Sequence, residues 1–232
     1  MKIVYKAYQR VARAIASAFG PEAKASRVES GAAYDADSFH MYYPLYKDAP
    51  KRIVDLSRFQ RLGKAEQRMA LGRYVNVPFP HRHAELLVTK GEKSGSGISV
   101  VRRDDVPIYE VYTAPLLPRR LEARIIYVYQ KPVFAYRRTG PPYAAWNLRF
   151  AQTRAEALDL RELQAIAPEF FADFDRWLRA ADPDIAGVDV TITGSDYYVL
   201  EVNMSPGMAQ SVFGNSVVDA VVEQIRRGRD GT

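Results

Sequence analysis

Residues 185–203 constrain this chain more than any other stretch, because they read as two strands that fold on each other with two acids in register. The first, Ile185 to Thr193, alternates Val188, Val190 and Ile192 with Asp189 and Thr191. The second, Tyr197 to Asn203, places Tyr198, Leu200 and Val202 on one side and Glu201 and Asn203 on the other. Side chains alternate faces along a strand, so burying the apolar sets together turns both acids to one face. A turn of Gly194-Ser195-Asp196 pairs residue 193 with 197 and therefore Asp189 with Glu201. Like charges opposed on neighbouring strands destabilise a sheet. A divalent cation reverses that sign, and Mg2+ is bound by one or two carboxylates with water and phosphate oxygens completing its shell. Two acids on a solvated sheet face would mean nothing by themselves. The tail Ser205-Pro206-Gly207 beyond Asn203 shifts the balance toward a metal site.

The remaining pattern predicts an α+β fold. Val4 and Tyr5 open a strand, and Tyr8 to Phe19 reads as a helix stopped by Gly20-Pro21. Residues 28–50 have weak periodicity and read as mostly irregular. Lys64 to Tyr74 is helical, and an extended segment runs from Glu85 to Lys90. The polar loop Gly91-Glu92-Lys93-Ser94-Gly95-Ser96-Gly97 follows it. Strand-like runs then occur at Ile98–Arg102, Ile108–Tyr112, Ala123–Tyr129 and Val133–Arg137, the last two joined by a turn at Gln130-Lys131-Pro132. Pro168 to Ala181 carries Phe170, Phe171, Phe174, Trp177 and Leu178 on one helical stripe, which reads as core rather than a cofactor box. A last helix spans about Ser216 to Arg227.

Composition narrows the chemistry. With no cysteine, thiolate catalysis, Cys-ligated zinc and disulfides are excluded. No apolar run approaches the roughly 20 residues of a membrane span, and the start lacks a signal-peptide core, so a cytoplasmic protein is expected. The formal charge of +6 suits an anionic substrate or a nucleic acid. The basic residues are dispersed and no zinc-finger or RNA-recognition motif is present, so nucleic-acid binding is the less favoured reading. His81 and His83 could ligate a metal but lack an evident third partner.

Gly187-Val188-Asp189, followed at this interval by Glu201-Val202-Asn203-Met204-Ser205-Pro206-Gly207, resembles the ATP-grasp superfamily. Within it, the likeness is to the amino-acid and peptide ligases that include ribosomal-protein glutamylating enzymes. The resemblance implies two α+β subdomains clasping ATP, with two Mg2+ ions or Mn2+ in their place. Asp189 would hold one ion, Glu201 would bridge both, and Asn203 would complete the second. It also implies that Lys64 and Lys90 contact phosphates. The glycine loop, with Gly95, Ser96 and Gly97, would close over them. Glu110, Val111 and Tyr112 would form the hinge beside adenine, and Arg124 and Asn147 would lie near the transferred phosphate. The sequence departs from the pattern at Gly91, where relatives often carry proline, and after Asn147, where a glycine pair is missing. The likeness covers about residues 64–225. Residues 1–62 resemble a reduced form of the α/β domain that precedes the ATP-grasp domain, here residues 63–232.

The expected activity is an ATP-dependent carboxylate–amine ligation through an acyl phosphate, with an amino acid or peptide as substrate. The rival readings are an ATP-grasp kinase, which would use the same residues, and a non-catalytic ATP-binding or nucleic-acid-associated module. Nothing in the sequence fixes the two substrates or the oligomeric state.

Overall fold

The computed structural model describes residues 1–5, 9–43, 46–78, 86–89, 99–102, 113–115, 121–139, 154–194, 196–206 and 210–229. Strand β1 (Lys2–Tyr5) buries Ile3, Val4 and Tyr5 together, as the middle strand of a sheet covered on both faces must. Helix α1 (Gln9–Ser17) buries Val11, Ala12, Ile15 and Ala16 at helical spacing, and Gly20 follows with a φ of +92°. Strands β2 (Lys24–Arg27) and β3 (Ser38–His40) run parallel to β1 on either side of it, in the order β2-β1-β3. The stretch expected to be mostly irregular thus contains β3, which is too short to show a period in sequence.

Helix α2 (Leu56–Phe59) is capped by the Asp55 carboxylate, which accepts from the Ser57 and Arg58 N–H groups. Helix α3 (Lys64–Leu71) is entered through Gly63, whose N–H donates to the Glu66 carboxylate. Strands β4 (Leu86–Thr89), β5 (Ser99–Arg102) and β6 (Thr113–Pro115) form an antiparallel sheet in the order β5-β4-β6.

The larger sheet comprises β7 (Leu121–Val128), β8 (Lys131–Thr139) and β9 (Arg154–Leu158), then, after α4 (Leu160–Ile166) and α5 (Pro168–Ala181), β10 (Ile185–Thr193) and β11 (Asp196–Asn203). Its order is β11-β10-β7-β8-β9 and every pairing is antiparallel. The chain ends in α6 (Gln210–Phe213) and α7 (Ser216–Arg227). Among the described residues, no helix is long and apolar enough to cross a membrane.

Each face of the large sheet has its own cover. On one face Ile125, Tyr127, Val188, Val190 and Val202 meet the α5 stripe, where Phe170, Phe174, Trp177 and Leu178 are buried as core. On the other, Ile126, Val128 and Ile185 meet Val217, Val218 and Val221 of α7 and Ile15 of α1. Helix α7 therefore welds the N-terminal sheet to the large one, and its Arg226 donates to the Ala18 carbonyl at 2.7 Å. The β7–β8 turn is Tyr129-Gln130 rather than Gln130-Lys131-Pro132, and both residues have positive φ, 46° and 67°. That conformation disfavours non-glycine residues. It is held by the Arg229 guanidinium over the Tyr129 ring and by a 3.0 Å bond from the Gln130 amide to Asp182.

Candidate functional site

The second face of the large sheet changes character along its length. Beyond the apolar patch under α7 lies a row of polar residues taken from adjacent strands. Arg124 on β7 pairs with Asp189 on β10, which pairs with Glu201 on β11. On the far side, Arg124 pairs with Tyr136 on β8. Asp189 and Arg124 are buried, at 7% and 8% exposure, whereas Glu201 and Asn203 are half-buried.

Asp189 and Glu201 face each other as the sequence predicts, but by a different route. The turn pairs Thr193 with Asp196 and Ile192 with Tyr197, one residue tighter than the expected pairing of 193 with 197. Gly194 allows it with a φ of +62°. Left uncorrected, that register would set Leu200 opposite Asp189. A bulge removes the offset: Val190 pairs with Val199 while Asp189 pairs with Glu201, so Leu200 is the extra residue. The bulge also switches which side of β11 is buried. The core takes Tyr197, Val199, Val202 and Met204, in place of the expected set of Tyr198, Leu200 and Val202.

One row along from the acids, Gly187 pairs with Asn203, and Pro206 folds back onto Gly187. A Cβ at residue 187 would lie 2.5 Å from the Pro206 Cβ, so only glycine lets the segment after Asn203 lie this close to β10. The glycine before Asp189 and the proline after Asn203 are therefore two halves of one contact. It fixes the path of the chain as it leaves the site.

Arg124 grips Asp189 with two parallel bonds, Nε to Oδ1 and Nη2 to Oδ2, each at 2.5 Å. This fork suits a guanidinium and a carboxylate. Burial alone would push the Arg124 guanidinium down, but Asp189, with smaller help from Tyr136 and Glu201, holds it above its usual range. A second buried arginine stands at the other end of the row. Arg68 lies on α3, which packs against β11, and its Nη1 donates to the Pro78 carbonyl at 2.8 Å. Burial pushes its guanidinium down to about 10, while the charge of Glu201 pulls it up. It is still cationic near neutral pH. The sequence reading overlooked Arg68, although it sits four residues after Lys64 and so on the same side of the helix.

The side chains of Asp189, Glu201 and Asn203 offer only oxygen acceptors to a metal, a set that suits a hard dication such as Mg2+. Among the described residues no three His, Cys, Asp or Glu side chains converge, so the amide of Asn203 would have to be the third donor. Of the other expected site residues, Lys64 begins α3. Lys90, Gly95, Ser96, Gly97, Glu110, Val111, Tyr112 and Asn147 lie outside the described residues, as do His81 and His83.

No family model matches the chain, and no curated protein does. Solved structures do. The ATP-grasp ligase PsnB, complexed with a minimal precursor, superposes with a TM-score of 0.61 at 16% identity, covering 97% of this chain and 98% of its own. D-alanine–D-alanine ligase from Bacillus anthracis complexed with ATP gives 0.56 at 14% identity, covering 99% and 98%. A RimK domain ATP-grasp protein from Sphaerobacter thermophilus gives 0.56 at 16%, covering 96% and 98%. Likeness over nearly the whole of each chain establishes that this protein has the ATP-grasp fold.

Proposed function

We propose that this protein is an ATP-dependent carboxylate–amine ligase whose metal is held by Asp189, Glu201 and Asn203. The observation that carries this is the pairing of Asp189 with Glu201 in the large sheet, flanked by Arg124 on one strand and by Asn203 two residues beyond Glu201. Structures of similar fold are described as ligases, and their complexes contain ATP, Mg with ADP, or precursor peptides. An amino acid or peptide carboxylate is accordingly the expected acid, and an amine the acceptor.

In this reading the substrate carboxylate attacks the γ-phosphorus of ATP and ADP leaves. An amine then attacks the acyl phosphate, and phosphate and a proton depart as the amide forms. A metal in the site would neutralise phosphate charge and align the phosphates. In this reading Arg124 would turn its fork from Asp189 to a phosphate oxygen, for which guanidinium geometry is suited. Lys64, Lys90 and Asn147 would complete the phosphate shell, Gly95, Ser96 and Gly97 its cover, and Glu110, Val111 and Tyr112 the adenine edge. The protein's contribution is positioning and charge stabilisation, without a side-chain nucleophile. Residues 63–232 would form the catalytic part and residues 1–62 a reduced acid-binding part, tied together by α7.

The test is trapping. Panels of amino acids and acidic peptides are incubated with ATP, Mg2+ and hydroxylamine, which converts an acyl phosphate to a hydroxamate. Hydroxamate and ADP in equal amounts, both lost in Glu201→Ala, support the ligase. A phosphorylated product inert to hydroxylamine would make the protein a kinase.

A further inference from the structure

The two acids of the row are flanked by two buried guanidinium groups, one from the neighbouring strand and one from a helix at the sheet edge. Taken across the sheet, the order is Arg68, Glu201, Asp189, Arg124. Arg124 engages both oxygens of Asp189. Arg68 is anchored to the Pro78 carbonyl, and Glu201 is the charge that acts on it. The segment after α3 is itself bound to β11. The Val199 N–H donates to the Asn76 carbonyl at 2.8 Å, and the Asn76 N–H donates to the Tyr197 hydroxyl at 3.3 Å. Helix, segment and strand therefore hold Arg68 at the edge strand as a fixed charge.

We infer that Arg68 is a positioning residue that makes metal binding at Asp189 and Glu201 conditional on nucleotide. The inference rests on the reading of the row as a metal site. Among the described residues two cations balance the two acids of the row, so these four groups offer a dication arriving alone no net negative charge, and Arg68 repels it across Glu201. A nucleotide brings its own negative charges, and the metal then enters with them. A buried charge is less screened than one in water, so a guanidinium held beside one of the two acids weighs against the ion. Lysine would supply the same repulsion. A neutral side chain would not.

Binding of Mn2+ alone, and of Mn2+ with ADP, is measured for wild type, R68Q and R68K at a temperature where each is folded. R68Q keeps an N–H donor for the Pro78 carbonyl and loses the charge. R68M, with an apolar stem, replaces it if R68Q does not fold. Mn2+ alone should bind R68Q or R68M about fivefold or more tightly than wild type. R68K should stay at the wild-type value. A merely structural arginine would give equal or weaker Mn2+ affinity in the neutral variant, or the same change in R68K, and either result overturns the inference. Failure of wild type to bind Mn2+ even with ADP would instead overturn the metal-site reading itself.

Discussion

Asp189 stands opposite Glu201 only because Leu200 is left out of the β10–β11 ladder. Without that bulge Leu200 would face Asp189, and Glu201 would turn toward the core beside Val188. Removing residue 200 leaves Val199 and Glu201 adjacent, which is the spacing a regular ladder needs to pair them with Val190 and Asp189. Deletion of Leu200 is therefore expected to preserve the facing acids. Metal-dependent ADP binding should persist in the deletion variant, whereas inserting an alanine after Leu200 should abolish it by turning Glu201 over. Loss of binding in both would show that the bulge itself shapes the site.

The Arg124–Asp189 pair should dominate the stability of this face. Removing one partner of a buried ion pair strands the other and costs about 3–5 kcal/mol. Asp189→Ala is expected to lose that much in urea unfolding, and Glu201→Ala less, because Glu201 is only half-buried. The double variant Arg124→Met with Asp189→Leu should recover most of the loss, since an apolar pair of similar volume escapes the desolvation cost. No recovery would mean that further partners of the row depend on the pair.

Gly187→Ala tests the contact that closes the site. The new Cβ overlaps Pro206, which is buried, so the 203–206 segment has to shift. Overpacking of this kind costs about 1–3 kcal/mol. Asn203 moves with the segment, so metal-dependent nucleotide affinity should fall more than stability does. Unchanged affinity at lowered Tm would show that Asn203 is indifferent to Pro206.

Which parts of this were legible in the sequence follows from the length scale of each signal. The α5 stripe and the β10–β11 alternation repeat over enough residues to be read, and both elements lie where the pattern puts them. Turn length is set by one or two dihedral angles at Gly194, which a two-residue period does not record. The pairing of 189 with 201 was right because the turn and the bulge err in opposite directions. Strands β2 and β3 are too short to carry a period and gain their identity from pairing with β1. Arg68 looks in sequence like any solvated helix arginine. Only the packing of α3 against β11 shows that it is buried beside an acid.

His40 gives the chain a pH dependence whose sign can be worked out. It sits fully buried in β3. Its Nε2–H donates to the Asp35 carbonyl at 2.8 Å, which leaves Nδ1 to accept from the Tyr46 hydroxyl, also at 2.8 Å. Tyr34 and Tyr43 stack on the ring, and Asp35, Asp184 and Arg52 are the charges that act on it. Burial lowers its pKa most, outweighing the bond to Asp35 and the charge of Asp184. The folded protein therefore keeps the ring neutral while the unfolded chain protonates at about pH 6.5. The stabilisation is complete above that pH and is lost as pH falls through it, with a slope of up to about 1.4 kcal/mol per pH unit. Asp184 acts the other way, because burial raises its carboxyl and protonation relieves the cost, despite the bonds from the His40 N–H and Arg229. The two therefore oppose each other, and comparing wild type with a His40 variant between about pH 6.5 and 5 isolates the His40 part, because Asp184 is common to both. Unfolding free energies measured across that range for wild type and His40→Gln, which keeps an N–H donor toward Asp35 but cannot protonate, should show a shallower slope in the variant. Equal slopes would assign the acid sensitivity to other groups.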